Sequence, residues 1–235
     1  MLRNLVDVLR SGQGTGAMMQ VVAIVLGAMM MVFVTLPLHE WAHAFSAHKL
    51  GDDTAKWNGR LTLNPLKHLD LFGTAMLLIC GVGYAKPVPI NPYNFRNRKV
   101  GMALSALAGP LMNVLLAVAA VGLYRVYDVT LGAHVDFQVT LIVWNVLIGL
   151  FAPINIMLAI FNLIPIPPLD GSRVLALVVP DRIMDTLERY EMYLSIGVMA
   201  LVLTGVLDPF FNTVLGGFGN VLGTVFGDPL VFFRP

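Results

Sequence analysis

The sequence predicts an all-α polytopic membrane protein with about four to six transmembrane helices and a re-entrant, partly extended segment near residues 71–90. Three observations carry this. The 235 residues are 57% hydrophobic and only 12% charged, well outside the balance of soluble domains. An uncharged run from Ser11 to Leu38, mostly apolar from Ala17 on, is followed by apolar stretches at 101–124, 139–164 and 190–207, each able to cross about 30 Å of hydrocarbon as a helix of about 20 residues. The stretch from Leu71 to Ile90 is apolar too, but Gly73, Gly81 and Gly83 interrupt it and Lys86-Pro87-Val88-Pro89 closes it, a pattern that no regular helix accommodates.

In chain order, residues 1–16 are polar and glycine-containing, with Leu5, Val8 and Leu9 giving a weak apolar face, and read as an interfacial stub. The first helix runs from 17 to about 50 and stops at Gly51-Asp52-Asp53. Its apolar run exceeds a signal-peptide core and is expected to stay uncleaved. If the segment 71–90 dips into the bilayer and returns, the loops 48–70, 86–99 and 169–189 share one face. Eleven of the fifteen Lys and Arg residues then lie on that face, which the positive-inside rule makes cytoplasmic. The last apolar stretch, 210–226, carries four glycines and either spans or lies in the interface. A core over 17–175 and a C-terminal membrane region over 176–235 follow from this division.

A net charge of +1 without any extended basic patch excludes nucleic acid as a partner, and Cys80, the single cysteine, excludes an internal disulfide or a thiolate metal cluster. The informative chemistry lies at His39-Glu40-Trp41-Ala42-His43, where the apolar run ends. Residues four apart stack on one helix face, so His39 and His43 can present two imidazoles to one ion, with Glu40 beside them as a candidate base. A third ligand must come from elsewhere. Asn162-Leu163-Ile164-Pro165-Ile166-Pro167-Pro168-Leu169-Asp170-Gly171 breaks the helix that begins near 139, and an ionisable Asp there is costly in hydrocarbon unless paired or metal-bound. Asp170 is therefore the leading third ligand, against the alternatives of a helix stop or a partner for Arg173. His68 and Asp70 read as a polar interfacial turn, with a metal role as the alternative; His48 falls on the face opposite His39. Asn155 and Asn113 read as helix-packing residues, Asn113 together with Gly109.

Taken together, His39-Glu40-x-x-His43, Gly109-Pro110-x-x-Asn113 and Asn162-x-x-Pro165-x-Pro167-x-x-Asp170-Gly171 resemble the site-2 protease family of intramembrane zinc metalloproteases, over roughly residues 17–175. Gly83-Tyr84-Ala85-Lys86-Pro87-Val88-Pro89 is similar to its compact bacterial branch. Asn162 reads either as a group on substrate backbone or the oxyanion or as a helix-packing residue. The resemblance implies zinc held by His39, His43 and Asp170, with Glu40 as general base. It implies a zinc metalloendopeptidase of the cell membrane, multi-pass, that cuts single-span membrane-protein substrates within the lipid bilayer. It leaves no room for the inserted PDZ or appended CBS domains of other members. The segment 82–90 is expected to receive unwound substrate as an added strand. The rival reading is a membrane metal-binding or metal-transport protein; against it, the intramembrane ionisable groups gather near one end of the spans instead of lining a path across.

Overall fold

The computed structural model describes residues 14–80 and 85–226, and within these it is helical with no strand. The expected stub at 1–16 and the glycine-rich turn at 81–84 therefore fall mostly or wholly outside the described residues. The first long helix comprises α1 (Gly14–Met30), a π-helical turn (Met31–Thr35) and α2 (Leu36–Lys49). The third long helix repeats this design, with α6 (Phe137–Trp144), a π-helical stretch (Asn145–Phe151) and α7 (Ala152–Asn162). Both π segments end two residues before a proline, Pro37 and Pro153. A proline ring has no N–H to offer and displaces the carbonyl four residues earlier, here at Phe33 and Gly149, and the wider π turn accommodates both effects without ending the helix. Between these two runs stands α5 (Arg98–Thr130), unbroken through 33 residues and started by the Asn97 side chain, which accepts from Val100 N at 3.2 Å.

Among the described residues, three helices are long and apolar enough to cross a membrane: Met18–Lys49, Arg98–Thr130 and Phe137–Asn162. The stretch 190–207 does not make a further span alone. It forms the 13-residue α10 (Glu191–Leu203), which meets α11 (Asp208–Phe226) at a 73° bend, so the pair counts at most as one broken span and the total as four. Gly205, at φ +72°, and the Asp208-Pro209 start of α11 impose the break. The main apolar core lies between α5, the 145–162 region and α11, where Ala117, Ala120, Val121 and Tyr124 meet Ile148, Phe151, Ala152, Ile156 and Leu222. Small residues on α5 let the helix backbones approach closely.

Residues 85–90 come back beside the start of the helix that opens the segment 71–90. Asp70 starts α4 (Leu71–Cys80) by accepting from Gly73 N at 2.8 Å, and the ten-residue helix rises only about 15 Å, half of a bilayer core. Lys86 N then donates to His68 O at 2.8 Å, which ties the end of the excursion to its beginning. Residues 85–90 form no regular secondary structure, and two buried polar residues fix them. Arg60 donates to the carbonyls of Lys67, Lys86 (2.6 Å) and Pro87 (2.9 Å). Asp52, fully buried just past α2, accepts from Asn91 N (2.7 Å), Asn94 Nδ2 (2.6 Å), Thr54 N (3.0 Å) and Thr54 Oγ1 (2.5 Å).

Burial alone would raise the Asp52 carboxyl pKa, but the hydrogen bonds from Thr54, Asn94 and Asn91 outweigh it and hold the group below its ordinary 3.8. A depressed carboxylate contributes stability that is present above 3.8 and is lost as the pH falls through the lower folded value. Asp52→Asn should therefore lower the melting temperature in detergent at neutral pH, with the deficit against wild type shrinking as the pH drops below about 4. Asp52→Ala, which leaves the donors unmatched, should cost about 2–4 kcal/mol. A deficit independent of pH would refute the charged role of Asp52.

Candidate metal centre

The centre is built where α2 crosses α5. Both histidines are buried, and their rings meet edge to face with centroids 4.6 Å apart. His43 Nδ1 lies 2.7 Å from Ser105 O. A carbonyl can only accept, so Nδ1 carries the proton and Nε2 is left with its lone pair facing inward. His39 Nε2 sits 3.0 Å from His43 Nε2, and Asp170 Oδ2 lies 3.4 Å from the first and 3.3 Å from the second. The close approach of the helices depends on Gly109, because a Cβ at that position would overlap both imidazoles.

Asp170 arrives by way of the break after α7. Leu163 to Leu169 fold through short turns, Ile166 N to Ile164 O at 2.8 Å and Leu169 N to Ile166 O at 2.9 Å, before α8 (Gly171–Leu175) begins and packs on α5. Gly171 is required here by close approach, because a Cβ would strike the carbonyls of Leu163 and Ile164; it needs no left-handed backbone. Arg173 is not the partner of Asp170, because it pairs with Glu188 at 2.7 Å.

Three ligand atoms, two imidazole nitrogens and a carboxylate oxygen, thus converge, and among the described residues this is the cluster able to hold a metal ion. Bonds of about 2.0–2.1 Å meeting at a tetrahedral angle place ligand atoms about 3.3–3.4 Å apart, the spacing seen here to within a few tenths of an ångström. Asp170 Oδ2 is buried and makes no hydrogen bond, so the donor set fits a zinc ion with one position open. Glu40 stands next to this cluster with Oε2 3.1 Å from Val88 N. Of the other residues singled out in the sequence, Asn162 does not reach the ligands, and its Nδ2 donates to Leu158 O of its own helix at 3.0 Å. His68 is fully buried on Thr62 O at 2.8 Å, and His48 pairs with Asp53. Asn155 joins Thr35 of the first helix at 3.1 Å, as a packing residue would. Asn113 is fully buried one turn from Gly109, and its amide has no hydrogen-bond partner among the described residues. Sequence reasoning missed Asp52, Arg60 and the contact of Val88 N with Glu40; the neighbouring Pro87 and Pro89 were the only signal for the last.

The model of peptidase family M50 matches residues 27–204. The chain belongs to peptidase family M50, the site-2 protease family. It is 38% identical over 188 residues to a Bacillus subtilis (strain 168) protein named "Putative zinc metalloprotease YwhC", covering 77% of this chain and 84% of that one. It is 34% identical over 144 residues to the Rip2 protein of Mycolicibacterium smegmatis and 30% over 142 to that of Mycobacterium tuberculosis, both named as zinc metalloproteases; each match covers 59% of this chain and 51% of the relative. No solved structure matches. Family and ligand geometry agree on a zinc metalloprotease in an apolar helical protein.

Purified protein should carry one zinc per chain. Asp170→Ala should release it, and Gly109→Ala should do the same by pushing a methyl group against the imidazoles, whereas His68→Ala and Asp70→Ala should keep it. Metal analysis decides; full zinc in Asp170→Ala with loss in either of the other two would reassign the third ligand.

Proposed function

We propose that the protein is an intramembrane endopeptidase that hydrolyses peptide bonds in or near the transmembrane segments of single-span membrane proteins, from a multi-pass position in the cell membrane. The observation that carries this is the convergence of His39, His43 and Asp170 in an apolar bundle, with Glu40 beside them and held by the Val88 N–H of an irregular segment. Counting about 20 residues of span from Met18 brings the histidines to the far edge of the hydrocarbon. Water can reach that depth without crossing the bilayer.

Each residue has a distinct task. Zinc, when bound by His39, His43 and Asp170, supplies Lewis acidity toward the scissile carbonyl and toward water. Ser105 O fixes the His43 tautomer so that the ring can act as a ligand. Glu40 takes the proton of the attacking water and returns it to the leaving amine. A substrate helix hides its carbonyls behind its own hydrogen bonds, so it must be unwound and its backbone re-paired. The Val88 N–H is engaged by Glu40, while Ile90 makes no backbone hydrogen bond among the described residues. Substrate would therefore pair through Val88 O, Pro89 O and the two groups of Ile90. Asn162, at the mouth of the break after α7, would hold substrate backbone beyond the cut.

Two outcomes test this reading. In detergent, Glu40→Gln should retain zinc and fold but lose turnover of a membrane-spanning model substrate by on the order of 10²–10⁴-fold; near-normal turnover would remove Glu40 from the chemistry. Cysteines placed at Lys56, Arg96 and Arg182 should all react with an impermeant reagent from the cytoplasmic side, and one at Asp128 from the other side. Labelling of positions 56 and 96 from opposite sides would overturn the orientation.

A further inference from the structure

Lys86-Pro87-Val88-Pro89 contains one backbone N–H between residues 87 and 89, that of Val88, and it points at Glu40 Oε2 from 3.1 Å. Neighbouring contacts fix its position. Arg60 is buried and shares its guanidinium among the carbonyls of Lys67, Lys86 and Pro87 with no carboxylate among its hydrogen-bond partners. Lys86 N is held by His68 O at 2.8 Å, and Asn91 N by Asp52 at 2.7 Å, so the piece is fastened on both sides of Val88.

We propose that Val88 N–H is a positioning donor for the Glu40 carboxylate and that Arg60 is the positioning residue that sets it there. The proposal rests on the endopeptidase reading and adds a specific device to it. A carboxylate has two oxygens; a donor on one holds the plane of the group and leaves the other free to meet the attacking water. The flanking prolines have no N–H that could compete for Glu40, and they fix φ on either side of the donor. Arg60 suits its place because a planar fork can engage carbonyls from both limbs of the re-entrant segment at once, which a lysine ammonium on a flexible stem cannot reproduce. The same short segment thus orients the base on one residue and offers Val88 O and Ile90 to substrate, so the base and the scissile bond are registered from one piece of backbone.

Amide hydrogen exchange resolved to single residues tests the contact without any need for activity. In the zinc-loaded protein, Val88 N–H should be protected together with Lys86 and Asn91, while Ile90 exchanges freely. Glu40→Gln keeps an acceptor oxygen and should preserve the Val88 protection; Glu40→Ala should abolish it and leave Lys86 and Asn91 protected. Arg60→Gln should release Val88, keep zinc, and lower kcat on the order of 10- to 100-fold, and Arg60→Lys should recover part of that loss. The proposal is overturned if Val88 exchanges as fast as Ile90 in the wild type, if Glu40→Ala leaves its protection intact, or if Arg60→Gln loses zinc in step with kcat. Intact protection in a wild type that cleaves no membrane substrate would instead overturn the protease reading, with the contact itself established.

Discussion

The site depends on one contact, the crossing of α2 over α5 at Gly109. His43 Nδ1 meets Ser105 O, Gly109 faces both imidazoles, and Ser46 Oγ reaches Leu104 O at 3.4 Å, so the two helices run antiparallel in a fixed register. Everything chemical follows from the missing side chain at position 109, because a methyl group there would push the imidazoles away from the lone-pair geometry that Asp170 completes. Hydrocarbon supplies no hydrophobic drive between helices, so small residues and close backbone contact have to provide the attraction. Gly101, Ala103, Ala106, Gly109 and Ala117 are all buried on α5.

Next to this contact the bundle carries polarity that lipid could not satisfy. Thr35, Asn113 and Asn155 are each fully buried, and Asn155 bridges two helices by donating to Thr35 Oγ1 and to Phe151 O. Both π turns end at this level, at Thr35 and at Phe151. The extra residue in a π turn rotates the face that follows, so the two prolines that force the turns also set which side of α2 and of α7 looks into the bundle. The helical phase of His39 and of the break leading to Asp170 is thus set partly by prolines several residues upstream.

Much of this was legible in the sequence, for identifiable reasons. His39, Glu40 and His43 are local, and helical periodicity alone puts the two imidazoles on one face. Asp170 was legible because three prolines and an ionisable residue at the end of an apolar run are expensive unless they serve a purpose. The re-entrant course of 71–90 was legible from glycine and proline content. Arg60 and Asp52 were not, because they hold main-chain groups as far as 39 residues away, and a backbone carbonyl or amide leaves no mark in a sequence. The stretch 190–207 was misjudged for another reason: hydropathy averages over the break at Gly205 and cannot register a 73° bend.

The hydrogen-bond accounting of 86–91 explains why this loop is composed as it is. Six residues carry four N–H groups, since two are prolines. Three of these are assigned, Lys86 to His68, Val88 to Glu40 and Asn91 to Asp52, leaving Ile90 as the one without a partner among the described residues. Two of the carbonyls, those of Lys86 and Pro87, belong to Arg60. An extended chain with many unmatched groups inside a membrane protein would be costly and would pair with any strand it met. Proline deletes donors that would have no use, the arginine absorbs acceptors, and what remains open among the described residues is Val88 O, Pro89 O and the two groups of Ile90. Under the proposed endopeptidase function, these open groups would be the ones an unwound substrate segment pairs with, beside Glu40.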